Sequence, residues 1–200
     1  MPRATTHTAD GLLDAAERLV ATRGCRALTV EGLSAATGAP IGSIYHRFAS
    51  RSVLAATLWI RAVERFQEGL IAELAGSEPI PAGIDAALHT LRWSRRNPHG
   101  AQMLLLYRDV DFLEEDLPEP WRLRAAGLNA PLLAALRSYT ERLYGSSRQY
   151  EVRRVGLAVI DIPYGAVHRH LAVGKPIPAE TDALVAQAVE ALLCQGMSGA

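Results

Sequence analysis

The chain has 200 residues, 49% of them hydrophobic and 21% charged, with a formal net charge of zero. This composition fits a soluble globular protein with an extensive core, built as one sizeable domain or as a small domain followed by a larger one. It excludes a protein that is basic all over and leaves a local patch as the only way to hold a polyanion.

The first helix is expected from about Thr8 to Arg23, with Leu12, Leu13, Ala16, Leu19 and Val20 as its buried stripe and Gly24 as its stop. Thr29 then caps a second helix, since its hydroxyl can accept from an unpaired amide of the first turn. Val30, Leu33 and Ala36 give that helix a small apolar face. Gly38 ends it, because glycine takes the left-handed conformation without a Cβ penalty. Pro40 suits the first turn of a third helix, Ile41 to Arg47, where its missing N–H costs nothing. Ile44 and Phe48 lie four apart and can pack back onto the second helix. Ser50 caps a fourth helix, from Arg51 to about Ala75, in which Leu54, Leu58, Ala62, Phe66 and Leu70 repeat every four residues.

Two short helices joined by a tight glycine turn form the helix-turn-helix pattern. A two-turn helix cannot hold itself together in water, so it must sit on a scaffold with its outward face free to enter a major groove. Tyr45, Arg47 and Arg51, with the helix start at Thr29, are the expected phosphate contacts, while Ser43, His46 and Ile41 face bases. The plain alternative is a helical hairpin within an all-α core. Up to Leu54 there are six arginines (3, 18, 23, 26, 47, 51) and four acids (10, 14, 17, 31), a local excess of two.

The run from Gly38 to Arg51 is similar to the recognition segment of the tetracycline-repressor (TetR-type) family of bacterial regulators. The residues that carry the resemblance are the turn glycine Gly38, the core Gly42-Ser43-Ile44-Tyr45, then Phe48 and Arg51. The match is specific over about the first 55 residues. Pro40 departs from the usual hydroxyl residue, so a cap or phosphate contact is lost there. Ile41 stands where a polar or basic residue is common, so direct base readout there is either poorer or uses a thymine methyl. The resemblance implies an all-α protein with a DNA-binding domain at residues 1–54 and a ligand-sensing and dimerisation domain at 55–200. Residues 1–7 read first as a frayed polar terminus, and the resemblance allows Arg3 there to add a phosphate contact. The implied function is transcriptional regulation, most often repression relieved by a small-molecule effector.

Gly76 to Pro81 is a turn-rich break, followed by a fifth helix from about Ala82 to Arg96 and a sixth from Pro98 to about Tyr107. The acidic stretch 109–119 reads as a solvated connecting loop, since the ligand spacing of a calcium loop is absent. A seventh helix spans about Pro120 to Tyr144, with a kink near Asn129 forced by Pro131. An eighth runs from about Gln149 to Val173 with Pro163 inside it, and a ninth from about Ala179 to Gln195. No strand pattern is present.

Aromatic and Met residues at helical spacing usually belong to a core. Here the resemblance implies a small-molecule pocket in the bundle touched by Trp93, Met103, Tyr107, Trp121 and Tyr164, with His89 and Asn129 as polar orienters. Asp161, Tyr164 and His168 share a helix face. They read as a polar seam, as part of that pocket, or as the acid/base pair of a small helical enzyme. His168 and His170 are two apart and cannot chelate a metal jointly. Neither a nucleophile elbow nor a phosphate-binding loop occurs, so no catalytic residue, metal or cofactor is assigned. Cys25 and Cys194 form no metal spacing and read as small buried thiols.

The ninth helix is apolar on nearly every side, and the eighth offers a matching excess. A two-fold homodimer is therefore expected, with Val155, Val159, Ile162, Leu184, Ala188 and Leu192 at its interface, as the resemblance also implies. Such a dimer presents two recognition helices roughly 34–36 Å apart to a near-palindromic duplex site. A dimeric interaction module without DNA binding is the remaining alternative. The polar start of the chain holds no signal-peptide core, and the most apolar run, 155–167, is too short to cross a bilayer. A cytoplasmic protein without membrane contact is expected.

Overall fold

Side-chain caps set the starts of the amino-terminal helices in the computed structural model, which describes residues 7–114 and 116–195. Thr8 precedes α1 (Ala9–Arg23), and its Oγ1 accepts from the Gly11 N–H at 3.1 Å. Thr29 does the same for α2 (Val30–Thr37), accepting from Gly32 at 2.9 Å, and Ser50 for α4 (Arg51–Leu74), accepting from Val53 at 3.1 Å. Gly38 ends α2 in the left-handed region at φ 71°, its N–H bonded to the Ser34 carbonyl. This turns the chain into α3 (Ile41–Tyr45). The predicted contact at Arg3 lies outside the described residues.

The remaining segments are α5 (Pro79–Arg96), α6 (Pro98–Leu106), α7 (Glu119–Gly127), α8 (Ala130–Tyr144), α9 (Gln149–Gly156), α10 (Ile162–Leu171) and α11 (Thr181–Cys194). The fold is all-α, with no strand among the described residues. Two prolines shape the later rods differently. Pro131 has no N–H for the Gly127 carbonyl, and there α7 gives way to α8. Pro163 instead follows a wide π-turn, Leu157–Asp161, in which the Ile162 N–H reaches back five residues to Leu157, so α9 and α10 run on as one rod. Counting α9 and α10 as one, the eleven helices make ten rods among the described residues.

Two cores form, and α4 belongs to both. The first gathers Leu12, Ala16 and Val20 of α1, Leu33 and Ile44 of the helix-turn-helix, and Leu54, Leu58 and Trp59 of α4. It also takes in Met103 and Phe112 from further along the chain. The second gathers Leu70 and Leu74 of α4 with Leu91, Tyr139, Val159 and Val189 from α5, α8, the π-turn and α11. At Gly69, a Cβ would lie 2.2 Å from the His89 ring, so only glycine lets α4 and α5 approach with the imidazole between them.

The acidic stretch after α6 is not the solvated loop the sequence suggests. Phe112 is fully buried, stacked on Trp59 with centroids 4.9 Å apart, and edge-on to Tyr107 at 6.1 Å. Leu117 is buried too. Val155 and Val159 of the expected dimer interface are likewise buried within a single subunit, because the rod carrying them turns that face onto its own core.

Candidate functional site

Ile44 and Phe48 anchor α3 on the first core, and the Ser34 hydroxyl donates to the Ala39 carbonyl at 2.7 Å to fix the turn before it. The outward face then follows from helical geometry. Ile41 is 43% and Tyr45 46% exposed, and Gly42, His46 and Arg47 are exposed beside them. Large apolar or aromatic groups at this exposure have no packing role, which suits them to a groove wall or a thymine methyl. Ser43 is half-buried and engaged: Arg47 Nη1 donates to both its carbonyl and its hydroxyl at 2.9 Å. Thr29 is half-buried and occupied as a cap.

Arg51 is also occupied. Its Nε donates to the Leu28 carbonyl at 2.9 Å, and its Nη1 is ion-paired with Glu114 from the stretch after α6. This partner was missed in the sequence, although Phe112 and Leu113, apolar inside an acidic run, signalled a segment with a packing partner. Close by, the Cys25 thiol points at the Asp111 carbonyl, 3.8 Å away. Burial, reinforced by the Asp111 charge, pushes that thiol up to about 11, so it stays protonated and unreactive at neutral pH. The acids of α1 lie on another side. Asp10 and Asp14 pair with Arg61 and Arg65 of α4, and Glu17 with Arg61, so three of the four acids in the first 54 residues are neutralised by α4.

A cavity of about 190 Å³ lies between α4, α5, α6 and the α9–α10 rod. Trp59, Val63, Phe66 and Leu70 of α4 form one wall. Thr90, Trp93 and Ser94 of α5 face it, Leu104 and Leu105 come from α6, and Val159, Ile160 and the partly exposed Tyr164 complete the lining, leaving one side open. Tyr164 donates its hydroxyl to the Leu105 carbonyl at 3.1 Å. The Ser94 hydroxyl is buried and has no hydrogen-bond partner.

Of the residues expected to touch a ligand, Trp93 and Tyr164 line this cavity. The others lie elsewhere. Met103 is buried in the first core, and Tyr107 packs on its edge against Phe112. Trp121 packs there as well and donates its Nε1–H to Thr57 Oγ1 at 3.1 Å. Asn129 accepts from Gln67 at 2.8 Å. The His89 Nε2–H donates to the Phe66 carbonyl at 3.0 Å, and burial lowers its basicity, so it is a neutral bridge between α4 and α5. His168 stacks on Tyr164 at 5.6 Å, while Asp161 is exposed and forms no ion pair with it among the described residues. The two are not an acid/base pair. On α11, Val185, Val189 and Leu193 face inward, and Leu184, at 64% exposure, Ala188 and Ala191 face out. Leu192 and Ile162 are half-buried against the second core.

Residues 12–58 match the family model of bacterial regulatory proteins, tetR family. No curated protein matches the sequence. Several solved structures share the fold. The fatty acid degradation regulator FadR from Bacillus halodurans is 17% identical with a TM-score of 0.69, covering 94% of this chain and 99% of its own. The TetR family transcriptional regulator PfmR from Thermus thermophilus is 20% identical with a TM-score of 0.64, covering 93% and 98%. A TetR-like transcriptional regulator from a Rhodococcus species is 19% identical with a TM-score of 0.65, covering all of both chains. At these identities the likeness is one of fold. The amino-terminal segment thus carries the helix-turn-helix of the tetR family, and the chain as a whole shares the fold of these solved regulators. No helix among the described residues is long and apolar enough to cross a membrane.

Proposed function

We propose that the protein is a repressor that binds a near-palindromic operator as a homodimer and leaves it when a small molecule fills the bundle cavity. The observation that carries this reading is the double membership of α4. The helix that opens at Arg51, directly behind the recognition helix, also supplies Trp59, Val63, Phe66 and Leu70 to the cavity wall. A ligand that prefers one position of α4 therefore biases the helix-turn-helix, provided it binds the DNA-incompetent state more tightly. Residues 1–54 supply the DNA contacts, with Ile41, Tyr45, His46 and Arg47 on the groove side, and residues 55–200 supply sensing and dimerisation. The dimer uses the outer faces of α10 and α11, with Ile162, Leu184, Ala188 and Leu192 among the contacts. The site of action is the cytoplasm.

Selection of bound duplexes from a random pool tests the operator reading. Enrichment of a two-fold-related sequence is expected. His46→Ala should change which bases are preferred. Arg47→Ala should weaken binding to all sequences alike and make the salt dependence shallower by about one unit. A pool that stays random after repeated rounds would defeat the proposal.

A further inference from the structure

The cavity wall carries no charged side chain, although the chain is 21% charged. His89, the nearest titratable group that the sequence offered as a polar orienter, is held outside the wall and is neutral. An ionised carboxylate or ammonium entering this space would lose part of its hydration with no opposite charge in the wall to replace it. Charged effectors are therefore selected against, the free carboxylate of a fatty acid included.

Two further features narrow the class. The walls are aromatic on several sides, with Trp59, Phe66, Trp93 and Tyr164, and Phe66 and Trp93 already meet edge to face at 5.3 Å. Aromatic walls of this kind favour a further ring packed against them edge-on or offset-stacked. The volume, about 190 Å³, is somewhat larger than the ~150 Å³ of an apolar cavity that takes up benzene. A single ring with a short substituent fits. Finally, Ser94 is only 3% exposed, lines the cavity and has no hydrogen-bond partner, and Thr90 sits one helical turn before it on the same side of α5. A buried hydroxyl without a partner is rare in folded proteins, and a ligand oxygen is the natural acceptor for its proton.

We propose that the effector is an uncharged compound of one aromatic ring bearing a single hydrogen-bonding oxygen, such as an aryl ketone or a phenol, and that Ser94 reads that oxygen. The assignment rests on reading the cavity as an effector site.

Titration calorimetry on the full chain at pH 7.5 with acetophenone, ethylbenzene and benzoate tests it. Acetophenone should bind, and benzoate, of similar shape but ionised, should bind about a hundredfold more weakly. Ser94→Ala should weaken acetophenone about tenfold and leave ethylbenzene unchanged. Val63→Phe, which fills the cavity, should abolish binding of both. Benzoate binding as tightly as acetophenone would overturn the proposal, as would no binding of either neutral compound, an unaltered acetophenone affinity in Ser94→Ala, or full affinity in Val63→Phe. Competition on a selected duplex separates this inference from the release reading. Acetophenone that binds without freeing the DNA defeats ligand release and leaves the ligand class standing. Release by benzoate alone does the reverse.

Discussion

Arg47 and Arg51, both proposed to contact DNA, already hold partners within the chain. Arg47 folds back on Ser43, and Arg51 is divided between the Leu28 carbonyl and the Glu114 carboxylate. A phosphate would compete with these partners for the guanidinium groups. For Arg47 the loss is small, because the bonds are exposed and water replaces them. For Arg51 the partner is an anion that competes directly with the phosphate. Both side chains of the pair are partly exposed, so the pairing itself adds little stability. Glu114→Gln should therefore leave the melting temperature within a degree or two, tighten binding to duplex DNA of any sequence, and steepen the salt dependence by about one phosphate contact. An unaltered salt slope, read from filter binding or fluorescence anisotropy, would show that Glu114 does not occupy a phosphate-binding arginine. Arg51→Ala is the less informative variant, because it also removes the bond to Leu28 behind the helix-turn-helix.

At the level of elements, the stretch after α6 behaves as part of the first core. Phe112 is fully buried on Trp59, so Phe112→Ala should destabilise the protein by about 3–5 kcal/mol, measured by urea unfolding. A loss below about 1 kcal/mol would mean the stretch is a surface strap after all. The same stretch shows where sequence reading stops. Thr29, Gly38 and Ser50 were legible because a cap or a left-handed turn is decided within three or four residues of chain. The break at Pro131 was legible for the same reason. At Pro163 the local rule gave only a proline inside a helix, and the rod absorbed it in a wider turn. Partners far along the chain were beyond such rules. Periodicity shows that Met103 and Tyr107 lie on an apolar face, but not that this face meets α1 and Phe112 rather than the cavity. Ser94 carries no sequence signal at all, since its interest lies in a missing partner.

At the scale of the whole molecule, α11 has two apolar sides with different fates. Val185, Val189 and Leu193 close the second core of their own subunit, while Leu184, Ala188 and Ala191 remain outside. The excess of apolar residues read from the sequence thus splits between one subunit's interior and an exposed surface, the face proposed for the dimer contact. Leu184→Glu with Ala188→Glu places two charges on that surface without touching the core. Sedimentation should show a monomer with unchanged helical content, and tight operator binding should disappear with the dimer, since a single two-turn recognition helix reads too few base pairs. A protein that sediments as a monomer before mutation, at micromolar concentration, would remove the basis for this dimer.

The shared helix α4 also has a mechanical meaning. Its 24 residues make a stiff arm about 36 Å long at 1.5 Å per residue. One end is set in each core, with no hinge between them. A tilt of about 5° about the Leu74 end carries the Arg51 end through roughly 3 Å, close to the spacing of adjacent base pairs along a duplex, for an arm of that length. In the proposed dimer, gearing of this kind lets a displacement smaller than one side chain misalign two reading heads set about one turn of DNA apart.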